Sequence, residues 1–134
     1  LRERAQAGVD VRLVVPGPRI DHQVTRLTGQ NAYEDLLDAG VKIYEYQPAM
    51  MHAKTIVVDG YFSAVGSMNF DNRSIAFNNE AQIVALDSAV GKQMDEIFLD
   101  DLKYSEEIKL ETFRNRSWKG KVLEWGAQKL RRVL

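Results

Sequence analysis

The chain has 134 residues, of which 45% are hydrophobic, and a formal net charge of -1 at pH 7. This length can bury one core, so no second domain is required. The chain contains no cysteine and two histidines, which excludes disulfides and thiolate metal sites. We therefore expect metal-free, cofactor-free chemistry. No apolar run approaches the roughly 20 residues of a membrane-spanning helix.

Charge is unevenly distributed along the chain. Residues 1–113 hold 11 Lys or Arg against 18 Asp or Glu, whereas residues 114–134 hold seven basic residues and one acidic residue. We therefore predict an acidic folded domain over 1–113 and a basic helical tail over 114–134.

The first third of the chain alternates between helix and strand patterns. Residues 1–7 are typical of the end of a helix that stops at Gly8, so we expect the chain to be part of something longer. Residues 9–15 alternate as a strand, residues 21–39 have helical spacing closed by Gly40, and residues 41–46 form a second strand.

Three further strand patterns follow, at residues 53–59, 62–65 and 81–86. The Asp59-Gly60 pair between the first two indicates a hairpin. Asp87 or Ser88 is then suited to cap a helix. About five strands alternating with helices predict an α/β fold, with a mixed sheet flanked by helices.

Two reactive side chains stand at the start of the third strand pattern. His52 and Lys54 are two residues apart, so a strand places them on one face and Asp59 on the other. The ammonium can hold phosphate oxygens while the imidazole attacks phosphorus or moves a proton near neutral pH. Asp59 is assigned structural support.

A second short pattern, Gly66-Ser67-Met68-Asn69, follows the hairpin. Gly66 leaves room for a phosphate to approach the backbone, and the Asn69 amide can donate to a phosphoryl oxygen. Lys54 and Asn69 are therefore the predicted phosphate-binding pair. Gly66 and Ser67 are assigned to supporting the motif.

Together these residues make a His-x-Lys-(x)4-Asp motif followed by Gly-Ser-x-Asn, which resembles the signature of the phospholipase D superfamily. From residue 1 to about residue 117 the chain is similar to the C-terminal half of bacterial cardiolipin synthases. The resemblance implies a single phospholipase D-like domain, forming one half of a two-motif enzyme. It also implies an acidic residue that orients the histidine, for which Glu80 is the candidate.

The resemblance further implies phosphatidyl transfer between phosphatidylglycerol molecules through a phosphohistidine. That chemistry needs two histidines, and His52 is the suitable one here, so the second motif is expected from an absent N-terminal half or a second subunit. Whether His52 is nucleophile or general acid stays open. Alternatives are a phospholipase or nuclease, in which water is the acceptor, and a non-catalytic anion- or membrane-binding module.

The tail carries Trp118 and Trp125 among its basic residues. Such a segment suits an anionic membrane surface, although the two rings could equally pack on the domain. The acidic body disfavours nucleic acid. We expect a bacterial membrane location, with the catalytic part on the cytoplasmic side. His22 is assigned no chemistry, and residues 71–74 are expected to brace a loop.

Overall fold

The computed structural model describes residues 1–19, 26, 29–69 and 79–116. These residues form four helices and six strands. In chain order they are α1 (Arg2–Gln6), β1 (Arg12–Pro16), α2 (Tyr33–Asp38), β2 (Lys42–Tyr46), β3 (Thr55–Val58), β4 (Phe62–Gly66), β5 (Gln82–Leu86), α3 (Ser88–Lys103), β6 (Ser105–Ile108) and α4 (Leu110–Arg114).

The chain divides into two compact units. The first unit comprises Leu1–Met51 and Tyr104–Leu134, and the second unit comprises His52–Lys103. Each contains one three-stranded sheet, with strand orders β1-β2-β6 and β3-β4-β5. The α/β class is therefore confirmed, with the described strands in two sheets. The predicted boundary at residue 113 stays a prediction.

The sheet of the first unit is mixed. Strands β1 and β2 run parallel, with Leu13 opposite Ile43, and β6 pairs antiparallel with β2, with Ile108 opposite the same Ile43. The sequence did not predict β6. Its residues, Ser-Glu-Glu-Ile, have little strand character by themselves, so the pairing with β2 decides their conformation.

A small cluster of large side chains forms the core of the first unit. Tyr33, Val41, Ile43 and Phe113 are buried, and Ile43 is fully inaccessible to solvent. The Tyr33 and Phe113 rings pack at a centroid distance of 5.7 Å. Burial raises the pKa of the Tyr33 hydroxyl, and the nearby Glu45 carboxylate adds to this effect. The core thus joins α2 and α4 to the central strand β2.

Helix α2 ends where the sequence predicted. Gly40 has a φ of 92°, and its N–H donates to the Leu37 carbonyl at 3.0 Å. The Val41 N–H reaches the Leu36 carbonyl, also at 3.0 Å, so the last turn of the helix is closed before β2 begins.

Strands β3 and β4 form the predicted hairpin in the second unit. Val58 pairs with Phe62, and between them the Tyr61 N–H donates to the Val58 carbonyl at 3.1 Å. The two central residues of this β-turn, Asp59 and Gly60, have φ values of 52° and 58°. Positive φ at both positions is the requirement of a type I′ turn. Strand β3 ends at Val58, so Asp59 lies in the turn and not on a strand face as its parity had suggested.

Helix α3 begins with a side-chain cap. The Asp87 carboxylate accepts from the backbone N–H groups of Ala89 and Val90 at 2.8 and 2.9 Å. Of the two candidates predicted from the sequence, Asp87 therefore caps the helix. One turn later, a side chain at Gly91 would meet the backbone of Gly60, so the helix lies directly against the hairpin turn.

Strand β5 lies at the edge of its sheet and exposes most of its side chains. Ile83 is 78% exposed and Leu86 is 63% exposed. Among the described strands, β5 pairs with β4 alone. Several predictions concern residues outside the described part of the chain: His22, residues 71–74, most of the 21–32 stretch, and the tail from residue 117.

Candidate active site

The hairpin brings Lys54 and Gly66 opposite each other. Strand β3 begins at Thr55, which pairs with Val65, and the next rung is closed by the Gly66 N–H donating to the Lys54 carbonyl at 3.1 Å. His52 precedes this rung by two residues. The strand predicted over residues 53–59 is therefore shorter than expected: it spans Thr55–Val58, and both His52 and Lys54 precede it.

Strand β5 adds a third chain segment at the same end of the sheet. Gly66 pairs with Gln82, and beyond it the Ser67 N–H donates to the Ala81 carbonyl at 3.0 Å. Glu80 immediately precedes this rung. The start of β3, the end of β4 and the start of β5 thus share one edge of the second unit, here called the motif edge. It carries His52, Lys54, Ser67, Asn69 and Glu80.

Lys54 is half-buried and turns back on the main chain. Its Nζ donates to the His52 carbonyl oxygen at 2.8 Å. An ammonium has three N–H donors, so this bond leaves two for an anion. The same bond fixes the position of the charge close to the backbone of His52.

His52 and Asn69 are both exposed at the motif edge. An exposed imidazole can exchange protons or attack a ligand, and an exposed amide can donate to an oxygen. These are the properties that the sequence required of the two residues. Because Lys54 lies opposite Gly66, His52 is two residues from Lys54 and Asn69 is three residues beyond Gly66.

Glu80 is held by a serine. The Ser67 hydroxyl donates to the Glu80 carboxylate Oε2 at 2.5 Å and accepts from the Ala81 N–H at 3.1 Å. The sequence assigned Ser67 only to support and assigned Glu80 to orient the histidine. This bond between them was missed, because it depends on the register of β4 against β5. The role of Glu80 toward His52 stays a prediction.

Gly66 has a packing role that the sequence did not reveal. A Cβ at this position would collide with the Ala81 carbonyl oxygen and with the backbone and side chain of Gln82. The absence of a side chain therefore lets β5 approach β4 closely. This holds whether or not a phosphate also approaches the Gly66 backbone.

Asp59 lies at the opposite end of the hairpin from the motif edge. Five residues separate it from Lys54, which corresponds to about 16 Å along a strand. Its positive φ is one that aspartate tolerates better than most residues. These facts fit the structural role predicted for Asp59, in a turn that fixes the register of β3 and β4.

Two general properties of the described residues bear on ligands. No three of their His, Asp and Glu side chains are grouped to hold a metal ion. Nor does this part of the chain contain a helix long and apolar enough to cross a membrane.

The fold resembles that of a solved phospholipase D family member. The crystal structure of Nuc from Salmonella typhimurium matches with a TM-score of 0.69 at 20% sequence identity, covering 81% of this chain and 70% of that one. At this identity the match establishes the fold, which is that of a phospholipase D-like domain.

Sequence comparison gives a narrower family. Residues 1–102 match the family model described as cardiolipin synthase, PLD-like domain. The chain therefore belongs to this family of the phospholipase D superfamily, and the resemblance stated from its motifs is confirmed.

Curated relatives carry the name cardiolipin synthase. One from Clostridium perfringens strain SM101 is 43% identical over 117 residues, covering 87% of this chain and 24% of the relative. One from Halalkalibacterium halodurans is 36% identical over 124 residues, covering 92% and 24%. Minor cardiolipin synthase ClsB from Bacillus subtilis is 35% identical over 118 residues, covering 88% and 29%. The chain thus spans about a quarter of their length.

Proposed function

We propose that this chain is a catalytic half of a cardiolipin synthase-like phosphatidyltransferase, which moves a phosphatidyl group from one phosphatidylglycerol to another. The observation that supports the proposal is that His52, Lys54, Asn69 and Glu80 all lie at the motif edge. Membership of the cardiolipin synthase family supports the choice of lipid substrate. The placement as a C-terminal half rests on the sequence resemblance.

Lys54 and Asn69 bind the phosphodiester in this proposal. The two remaining N–H donors of the Lys54 ammonium and the Asn69 amide hold the non-bridging oxygens, and they stabilise the charge that develops on them. Both groups are at the surface of the motif edge, where a lipid headgroup can reach them.

The transfer proceeds in two displacements. A histidine nitrogen attacks the phosphorus of the donor phosphatidylglycerol, and the bond from phosphorus to the oxygen of the headgroup glycerol breaks. A second histidine gives that oxygen a proton, and glycerol leaves. The second histidine then removes a proton from the hydroxyl of the acceptor phosphatidylglycerol, whose oxygen displaces the histidine from phosphorus. His52 supplies one of these histidines, and a second motif, in an N-terminal half or a second copy, supplies the other.

The membrane contact is a proposal of its own. We assign it to the basic tail 114–134 and to an anionic surface, on the cytoplasmic side of a bacterial membrane. The first two cations of the tail already have partners within the domain: Arg114 pairs with Glu34 and Asp38, and the Arg116 guanidinium lies 3.7 Å from the centre of the Phe113 ring. Attraction to lipid therefore depends on the cations that follow residue 116.

The test uses the longest form of the protein that contains this chain, with vesicles of phosphatidylglycerol. We expect cardiolipin and glycerol in equal amounts. His52→Ala lowers turnover at least about a hundredfold, the low end for a positioned proton carrier. His22→Ala, which removes the other histidine of the chain, serves as the matched control and leaves turnover unchanged.

The products and a trapped intermediate decide between the alternatives. Phosphatidic acid without cardiolipin would identify water as the acceptor and overturn the transferase. No turnover by a folded wild-type protein would favour a non-catalytic module. Acid-labile, base-stable labelling of the protein by lipid phosphate tests the phosphohistidine, and mapping the label to His52 or elsewhere identifies the nucleophile.

A further inference from the structure

The Ser67 hydroxyl occupies an unusual place in the β4–β5 ladder. In an antiparallel hydrogen-bonded pair, each residue donates its N–H to the other's carbonyl. Here Ser67 donates its N–H to the Ala81 carbonyl at 3.0 Å, but the Ala81 N–H donates to the Ser67 hydroxyl at 3.1 Å. The side chain thus takes the place of the main-chain carbonyl in the last rung.

This substitution ends the ladder at Ser67. The Ser67 carbonyl is not needed to pair with Ala81, so the chain beyond it is released from the strand at Met68 and Asn69. Strand β4 itself ends one residue earlier, at Gly66. The hydroxyl therefore helps to set where the chain leaves the sheet, two residues before Asn69.

The same hydroxyl has one proton, and that proton is committed. It is donated to Glu80 Oε2 at 2.5 Å, within the short range of charge-assisted O–H···O bonds. While this bond persists, Ser67 has no donor left for a phosphate oxygen. A direct role in binding substrate is therefore disfavoured.

We propose that Ser67 is a positioning residue, which fixes the Glu80 carboxylate at the motif edge while its own backbone fixes the end of β4. The inference rests on the proposed function, in which Glu80 orients His52. Through this bond Ser67, which directly follows β4, also sets the direction of the Glu80 carboxylate, which precedes β5. Ser67 acts on the reaction through Glu80 and does not touch the substrate.

The activity test compares Ser67→Ala with Ser67→Thr, which keeps the hydroxyl. Hydrogen bonds to charged groups are strong enough for Ser67→Ala to lower kcat about ten- to hundredfold, with KM little changed. Ser67→Thr should restore most of the loss. Added to Glu80→Gln, the Ser67→Ala change should have little further effect, because the two residues act as one unit.

Ser63→Ala is the matched control. Ser63 lies on β4, four residues before Ser67, and its hydroxyl is buried without a hydrogen-bond partner in the described part of the chain. Its removal should leave kcat and KM unchanged. A loss as large as that of Ser67→Ala would show that any change on this strand disturbs the site, and would overturn the specific role.

A second readout is independent of activity. In the 134-residue chain, the side-chain carboxyl carbon of Glu80 should shift in NMR spectra on Ser67→Ala and return toward its original position on Ser67→Thr. Ser63→Ala should not move it. An unmoved carbon signal in a folded Ser67→Ala variant overturns the positioning bond, even if the enzyme is active.

The two readouts separate the two proposals. A rise in KM at constant kcat, or full additivity with Glu80→Gln, would mean that Ser67 meets the substrate directly, and would overturn the inference alone. If the wild-type protein transfers no phosphatidyl group, the proposed function fails, while the Glu80 carbon signal still decides whether Ser67 holds the carboxylate.

Discussion

The two units of the chain bury different kinds of residues. The first unit has a cluster of large side chains, in which Tyr33, Ile43 and Phe113 are buried. Among the residues of the second unit that the structure describes, the buried positions belong to small residues: Ser63, Ala64 and Gly91. Every candidate catalytic residue lies in the second unit. Within the described ranges, the candidate catalytic residues thus lie in the unit whose buried side chains are small, and the cluster of large buried side chains lies in the other unit.

This contrast separates two sources of stability. Burying a large apolar side chain contributes about 1.5–3 kcal/mol, and the first unit gains this several times. The described part of the second unit gains less from such burial and depends more on strand pairing, the Asp59-Gly60 turn and close backbone packing. Substitutions that test these sources should therefore behave differently in the two units.

The largest effect is expected from Glu45→Ala in the first unit. The Glu45 carboxylate is buried, and it accepts from Arg26 at 2.6 Å and from Gln30 at 3.0 Å. Its removal leaves the Arg26 charge without its partner, which typically costs about 3–5 kcal/mol. The free energy of unfolding in urea measures the loss.

Glu106→Ala is the matched control for that change. Glu106 faces Glu45 across the β2–β6 register, but its side chain is exposed. Its replacement should alter the free energy of unfolding by no more than about 0.5 kcal/mol. Equal losses for the two variants would contradict the importance of the buried pair.

An intermediate effect is expected from Gly91→Ala in the second unit. The added methyl group would meet the Gly60 carbonyl and the Tyr61 N–H, so helix α3 must move away from the hairpin turn. Overpacking of this kind costs about 1–3 kcal/mol. Unfolding in urea and the NMR shifts of residues 59–61 should both report it.

Gly29→Ala provides the comparison for Gly91. No atom lies within 4 Å of a Cβ at Gly29, so this change should be neutral or slightly stabilising. If the two variants were equally stable, close backbone packing would not be what stabilises the second unit.

The smallest effect is the pH dependence of an exposed cluster in the first unit. Hydrogen bonds from Arg12 and then Lys42 lower the pKa of Asp10 to about 2. A depressed pKa contributes stability above the unfolded value, about 3.9, and this stability is lost as pH falls toward 2. Asp10→Asn should therefore lower Tm slightly at pH 6, and the difference should shrink between pH 4 and pH 2. A difference independent of pH would contradict the linkage.

The sequence predicted the elements whose signals are local. Alternating apolar residues marked the strands, Asp59-Gly60 marked the hairpin, and Asp87 marked the helix start. Strand β6 was missed because Glu106 and Glu107 carry no strand signal, and their conformation follows from pairing with β2. The short start of β3 was missed because alternation alone does not locate the first hydrogen-bonded residue.

The sequence predicted which residues form the candidate site, and that membership stays a prediction, but the sequence did not predict all of their contacts. The hairpin brings Lys54 beside Gly66, and His52 precedes Lys54 by only two residues. The Ser67 to Glu80 bond joins residues 13 apart through a loop, and its existence depends on the register of two strands. The same register accounts for the glycine at position 66, because a side chain there would collide with Ala81 and Gln82.

The exposure of β5 has a consequence for handling the protein. Among the described strands β5 pairs with β4 alone, and an edge strand with exposed isoleucine, valine and leucine side chains is a template on which another strand can form. At high concentration, two copies should tend to join edge to edge through this strand and grow into larger aggregates. A lysine in place of Ile83, the most exposed of these side chains, should raise the concentration at which the chain stays monodisperse.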